Sequence, residues 1–377
     1  MMTSPGFLMT VLAFLGVIGP LVFVHEMGHY LVARWCGVKA ETFSIGFGPE
    51  IAAWVDRRGT RWRVAALPLG GYVRFKGDMN AVSQSDPEWL ALPPQEREQC
   101  FPAKPVWQRA AIVAAGPVIN LLFAVLLLGG VATVWGERVA EPVVGAIETG
   151  SAAEAAGLKS GDKILRIMDR DIGGFRDIQS IVGLRPGEAL SFTIERNGER
   201  LEKTITTGTL LETDRFGNIY RIGRIGIGAA AVSSRPVGVL EAPAVGYRQA
   251  VDMTRAGLDG LGQIIMGRRS VKELGGPLKI ADISGQVATL GVASFLSFMA
   301  LISINLGFIN LLPIPLLDGG HLLFYGIEAV QRRPVSPAAQ EWAYRSGLAL
   351  LLTMMLMVTF NDLGSFGLWK SLSGLIG

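Results

Sequence analysis

Four long apolar stretches dominate the pattern of hydrophobic and polar positions: 7–35, 110–134, 287–312 and 346–360. One bilayer crossing takes roughly 20 apolar residues, so each predicts a membrane-spanning helix, the last extending back towards Trp342. The first lacks a basic leader and an A-x-A-like cleavage site, which predicts a retained span rather than a signal peptide. The intervening segments follow other periods. Residues 40–80 are broken by Gly46, Gly48, Pro49, Gly59, Pro68, Gly70 and Gly71 and alternate in polarity at Arg61-Trp62-Arg63-Val64, predicting strands. Residues 81–104 are polar and Pro-containing, a loop before the second span. In 244–267, Tyr247, Val251, Thr254, Leu258, Leu261 and Ile265 recur at steps of four and three, one face of an amphipathic helix. Arg248/Asp252 and Arg255/Asp259 are spaced for i,i+4 pairing on another face. Such a helix suits either a soluble core or the bilayer interface.

The stretch 140–208 predicts a soluble unit of short strands and one helix. Ser151 is placed to cap an Ala-rich turn, and Asn197-Gly198 joins the alternating runs 190–195 and 201–206 as a hairpin. Its Ala156-Gly157-Leu158-Lys159-Ser160-Gly161-Asp162-Lys163-Ile164 matches the A-G-L-x-x-G-D-x-I signature of PDZ domains of the bacterial protease type, which it resembles. A second copy is not evident in 209–235, which holds only Gly-rich strands.

Half of the 377 residues are hydrophobic and the net charge is +3, so nucleic acid is not an expected partner. Where the charge lies does carry information. Arg57, Arg58, Arg61, Arg63, Arg74 and Lys76 lie between the first two spans, and Arg332 and Arg333 between the last two. By the positive-inside rule both loops are cytoplasmic, leaving the middle region exported. Cys36 and Cys100 flank the cytoplasmic segment and the exported region has no cysteine, which argues against a disulfide framework.

The candidate chemistry rests on three histidines. His25-Glu26-Met27-Gly28-His29 reads H-E-x-x-H, closing the first apolar run. On a helix the two imidazoles share a face and bind one Zn²⁺, with Glu26 beside them as general base. A solvated-face explanation fails, because Val22, Phe23, Val24, Leu31 and Val32 surround the motif. A catalytic zinc takes three protein ligands and an open position. Asp318 is the best third ligand. It follows Asn310-Leu311-Leu312-Pro313-Ile314-Pro315-Leu316-Leu317, whose prolines break the third span at membrane depth, where irregular backbone must line a cavity or pack in protein. His321 is the rival ligand, with a supporting role preferred. Gly116-Pro117 and Asn120 put a kink and an amide into the second span, and Asn305 and Asn310 put amides into the third; Asn120 and Asn305 are expected to hold helices together. Asn310 and the stretch Gly70-Gly71-Tyr72-Val73 are candidate substrate contacts, the latter as a strand edge that accepts an extended peptide.

Taken together, His25 to His29, the Leu69-Gly70-Gly71-Tyr72-Val73 loop, Gly116-Pro117 with Asn120, the PDZ-like stretch and Asn310 through His321 resemble the site-2 proteases, specifically the bacterial regulator-of-sigma-E branch. The resemblance covers nearly the whole chain. It implies a polytopic α-helical membrane protein with a membrane-associated strand loop (37–104), four spans (6–36, 105–136, 287–325 and 342–362), an exported PDZ domain (140–210), and strands with an interfacial helix (211–286). One zinc per chain is implied, held by His25, His29 and Asp318, with Glu26 catalytic, in a bacterial inner membrane. The implied substrate is a single-pass membrane protein such as an anti-sigma factor, already trimmed by another protease. That branch carries two tandem PDZ domains where this chain shows one, so filtering by a tandem ring is not implied. Two other readings remain open at this point: a catalytically silent PDZ scaffold and a metal transporter.

Overall fold

The computed structural model describes residues 6–77, 87–213, 219–230, 232–266 and 275–365. Along the chain these form α1 (Phe7–Trp35), β1 (Ala40–Val55), β2 (Arg61–Phe75), α2 (Pro94–Arg97), α3 (Val106–Trp135), β3 (Glu137–Ala140), β4 (Val144–Ile147), α4 (Ala152–Ala155), β5 (Lys163–Ile167), β6 (Arg170–Asp171), α5 (Phe175–Gly183), β7 (Ala189–Arg196), β8 (Glu199–Thr206), β9 (Gly208–Thr213), β10 (Ile219–Arg224), β11 (Ile227–Ala229), β12 (Val232–Arg235), α6 (Ala242–Ile265), α7 (Pro277–Thr289), α8 (Val292–Leu311), α9 (Asp318–Gln331) and α10 (Pro337–Ser365). Four of these helices, α1, α3, α8 and α10, are long and apolar enough to cross a membrane. The chain divides into two compact units, 1–128 with 276–357, and 129–275 with 358–377.

In the first unit α1 packs on α7 and α8, with Val17 and Leu21 buried against Met299. The third span is shorter than its apolar run. Gly291, at φ +101°, separates α7 from α8, so residues 287–289 end a preceding helix and the span begins at Val292. Pro313 and Pro315 lack amide hydrogens, so helix stops at Leu311 and restarts at Asp318. The segment between them carries Leu316 at φ +82°, a backbone region that a bulky residue occupies at a cost of roughly 1–3 kcal/mol.

The strand loop is more folded than a hairpin. Phe43 pairs with both Trp62 and Val73, so residues 40–45 lie between 61–64 and 71–75, while 52–55 pair on the far side of 61–64. The double pairing requires both strands to bend, β1 at Gly46 and Gly48 and β2 at Gly70, all with positive φ. Phe43 stacks on Trp62 at 4.4 Å, and Tyr30 of α1 meets both rings, tying the sheet to the first span. At the turn, Asp56 accepts from Arg58 N, Thr60 N and Trp62 Nε1. Burial alone would raise its carboxyl, but these bonds hold it below the ordinary carboxylate value.

The second unit centres on a four-stranded antiparallel sheet in the order β6-β5-β7-β8. Ile164, Ile167, Leu190, Phe192 and Ile194 from the sheet bury against Phe175, Ile178 and Val182 of α5. The Asn197-Gly198 turn has both residues at positive φ, as a two-residue hairpin needs. The stretch after Ser151 is a single turn, capped by Ser151 Oγ accepting from Glu154 N at 3.3 Å. The main helix is α5, whose apolar residues at 175, 178, 181 and 182 are a readable signal that the Ala-rich turn obscured. A boundary at 210 cuts through pairing: β11 pairs with β4 and β12 with β3, so the strands of 219–235 complete the unit. Helix α6 forms as expected, with Tyr247 and Leu258 of its apolar stripe exposed. Its charged face reaches beyond itself: Asp259 pairs with Arg170 at 2.8 Å and Arg248 lies 3.9 Å from Glu137.

Candidate metal centre

His25 and His29 sit one turn apart on α1, and both point their Nε2 atoms at the start of α9. Nε2 of His25 lies 3.2 Å from Asp318 Oδ2, and Nε2 of His29 lies 3.6 Å from Oδ1. The two Nε2 atoms are 3.3 Å apart. Four ligands arranged tetrahedrally at zinc bond lengths are spaced about 3.4 Å from one another. The triangle therefore matches three corners of a zinc site, and among the described residues this is the group of His, Asp, Glu or Cys side chains that converges so. Two neutral imidazoles and a carboxylate are also the donor set that suits zinc.

The surrounding backbone explains the convergence. A Cβ at Gly319 would lie 2.2 Å from the Leu312 carbonyl oxygen, so only glycine lets α9 begin tight against the broken segment. Further along α9, Glu328 pairs with Arg109 at 2.6 Å, and that guanidinium sits 4.9 Å over the Tyr325 ring, fixing α9 to α3. Opposite His29, a Cβ at Gly116 would lie only 2.2 Å from Nε2. Ile112 O accepts a hydrogen bond from His29 Nδ1 at 2.9 Å, which leaves Nε2 free to ligate. The Asn120 amide lies 3.1 Å from His25 Nδ1.

The residues singled out from the sequence as ligands, base or substrate contacts line one cavity of about 410 Å³: His25, Glu26, His29, Gly70, Gly71, Tyr72, Val73, Asn310, Asp318 and His321. Glu26 is buried beside the strand edge, accepting a backbone hydrogen bond from Val73. His321 stands outside the converging triangle, its Nδ1 3.3 Å from the Tyr344 hydroxyl. Asn305 is exposed and does not bridge helices as expected. That role falls to Ser303, fully buried, whose hydroxyl donates to Asn120 O at 2.8 Å. A serine in an apolar run gives little signal, because its hydroxyl is equally at home bonded within its own helix.

The profile of Peptidase family M50 matches residues 13–354, which include the whole constellation. The chain belongs to peptidase family M50. Curated relatives agree across nearly the full length. "Putative zinc metalloprotease Atu1380" of Agrobacterium fabrum is 42% identical over 370 residues, spanning 97% of this chain and 98% of that one. "Putative zinc metalloprotease R01501" of Rhizobium meliloti is 43% identical over 359 residues, 94% of this chain and 96% of its own. "Metalloprotease MmpA" of Caulobacter vibrioides is 37% identical over 394 residues, 98% of this chain and 99% of its own. This M50 protein is accordingly a zinc metalloprotease of the membrane, not a silent scaffold or a transporter.

Proposed function

We propose that the enzyme cuts peptide bonds in or near the transmembrane segment of single-pass membrane proteins. The observation that carries this reading is the triangle of His25, His29 and Asp318 lying among helices long and apolar enough to cross a bilayer. Zinc bound there supplies the Lewis acid that acidifies a water molecule and polarises the scissile carbonyl. Glu26 takes the proton from the attacking water and returns it to the leaving amide nitrogen. The Val73 N–H bond to its carboxylate orients the base.

A substrate helix hides its peptide bonds in i→i−4 hydrogen bonds and must unwind first. The edge segment 71–75 borders the cavity, and an unwound substrate adds there as a further strand, with Asn310 holding its other side. Substrate pairing then competes with Glu26 for the Val73 N–H. The second unit, read as a single PDZ domain completed by β11 and β12, selects which substrates approach. By the positive-inside argument it is periplasmic in a bacterial inner membrane, with the metal centre towards the cytoplasmic side. The exposed stripe of α6 then rests on the bilayer surface. An anti-sigma factor, trimmed beforehand by another protease, has the required single-pass form. Incubating the purified enzyme with a panel of single-pass proteins tests the reading: cleavage of some, abolished by a zinc chelator, is expected, and cleavage only of soluble proteins contradicts it.

A further inference from the structure

The Asn120 side chain makes its contact with a histidine rather than with another helix's backbone. Asn120 is fully buried, and its amide faces His25 Nδ1 at 3.1 Å. With the NH₂ group towards the imidazole, Nδ1 must accept, the proton moves to Nε2, and His25 has no lone pair to offer the centre of the triangle. The same orientation leaves Asn120 Oδ1 buried without a hydrogen-bond partner. A half-turn of the amide removes the first problem, while the NH₂ group takes the place that Oδ1 held without a partner. Oδ1 then accepts from Nδ1–H, and Nε2 turns its lone pair towards Nε2 of His29 and the Asp318 carboxylate.

We propose that Asn120 is a positioning residue that holds His25 in the Nδ1–H tautomer, with its amide oxygen facing the ring. This rests on the reading of His25 as a zinc ligand. Helix α3 then supports both histidines, His29 through the backbone oxygen of Ile112 and His25 through the Asn120 side chain. The helix-packing role of this position is separable. It runs through the Asn120 main-chain carbonyl, which accepts from Ser303 and persists whatever side chain stands there.

The test uses the full chain in detergent and measures zinc affinity by chelator competition and the visible spectrum of the cobalt-substituted protein. Asn120→Leu keeps the volume and removes the acceptor; zinc affinity should fall roughly 10–100-fold and the cobalt bands should change. Asn120→Asp keeps an acceptor for Nδ1–H and should bind zinc within about threefold of wild type. Ser303→Ala should lower thermal stability without moving zinc affinity. Wild-type affinity and spectrum in Asn120→Leu overturn the proposal. If that variant does not fold, a tenfold or greater loss in folded Asn120→Asp overturns it equally. His25→Ala keeps the two readings apart: it should lose zinc outright. Zinc lost there but unchanged in Asn120→Leu overturns only the positioning role, whereas zinc retained in His25→Ala overturns the ligand reading with it.

Discussion

Gly116→Ala adds one methyl group where the metal centre has no room for it. Its Cβ would stand 2.2 Å from His29 Nε2 and 2.5 Å from Cε1. Ordinary contact begins near 3.4 Å, so the ring must retreat by the difference from 2.2 Å, roughly 1.2 Å, on the very atom that ligates. Metal sites hold their distances to about 0.2 Å, so a displacement of that size removes His29 from effective coordination. The ring cannot simply slide along α1, because its Nδ1 bond to Ile112 O would break as well. We expect zinc affinity to fall at least about 100-fold, close to 2.8 kcal/mol at about 1.4 kcal/mol per decade. Helix propensity alone argues the other way, since alanine is favoured over glycine in a helix by about 1 kcal/mol. Metal analysis of the purified variant, alongside competition with a chromophoric chelator, separates the two. Wild-type zinc content and affinity in Gly116→Ala would refute the argument that close approach of α3 seats His29.

Four further outcomes follow from the same geometry. Asp318→Ala should empty the centre of zinc while His321→Ala, outside the triangle, loses far less; metal analysis of each decides, and unchanged zinc in Asp318→Ala would bring His321 into the site. Val73→Pro, which removes a ladder donor and with it the donor to Glu26, should cut turnover of every substrate with zinc content intact, and normal cleavage by that variant would contradict strand addition. Arg196→Met strips the Asp162 carboxylate of its two-pronged partner at 2.7 Å and should lower the thermal unfolding temperature of the second unit. Burial raises the Asp162 carboxyl, yet the Arg196 and Lys159 hydrogen bonds overcome it and hold the folded value below 3.8. Because that value is depressed, the stabilisation is complete above the unfolded value and is lost as pH falls through the folded one. Acidification below about pH 4 should therefore narrow the gap between wild type and Arg196→Met, and a gap that widens would contradict the pairing.

The parts of this protein that the sequence made legible are those where one physical requirement dominates. Apolar runs must span, two histidines four apart must share a helix face, and an aspartate after a Pro-broken span must find a partner. The rest depends on tertiary pairing that local pattern does not encode. The break at Gly291 lies inside a continuous apolar run, so periodicity gave no reason to separate α7 from the third span. Glycine bends in β1 and β2 were visible, but that they fold residues 40–45 between two parts of β2 was not. The same holds for β11 and β12, short strands that gain their place only by returning to β4 and β3. At the metal centre the ligand candidates were legible while their supports were not. Ile112 acts through a carbonyl that every residue has, and Ser303 is indistinguishable in sequence from a serine bonded to its own helix.

Cleavage in proteoliposomes, with the cut bond located by mass spectrometry of both products, tests the central claim most directly. A single-pass substrate reconstituted with the wild-type enzyme should be cut in or next to its apolar segment. Glu26→Gln should keep its zinc and lose at least about 100-fold in rate, since an amide cannot take the water's proton. Cuts confined to the substrate's soluble regions, or near wild-type turnover by zinc-loaded Glu26→Gln, would contradict the account.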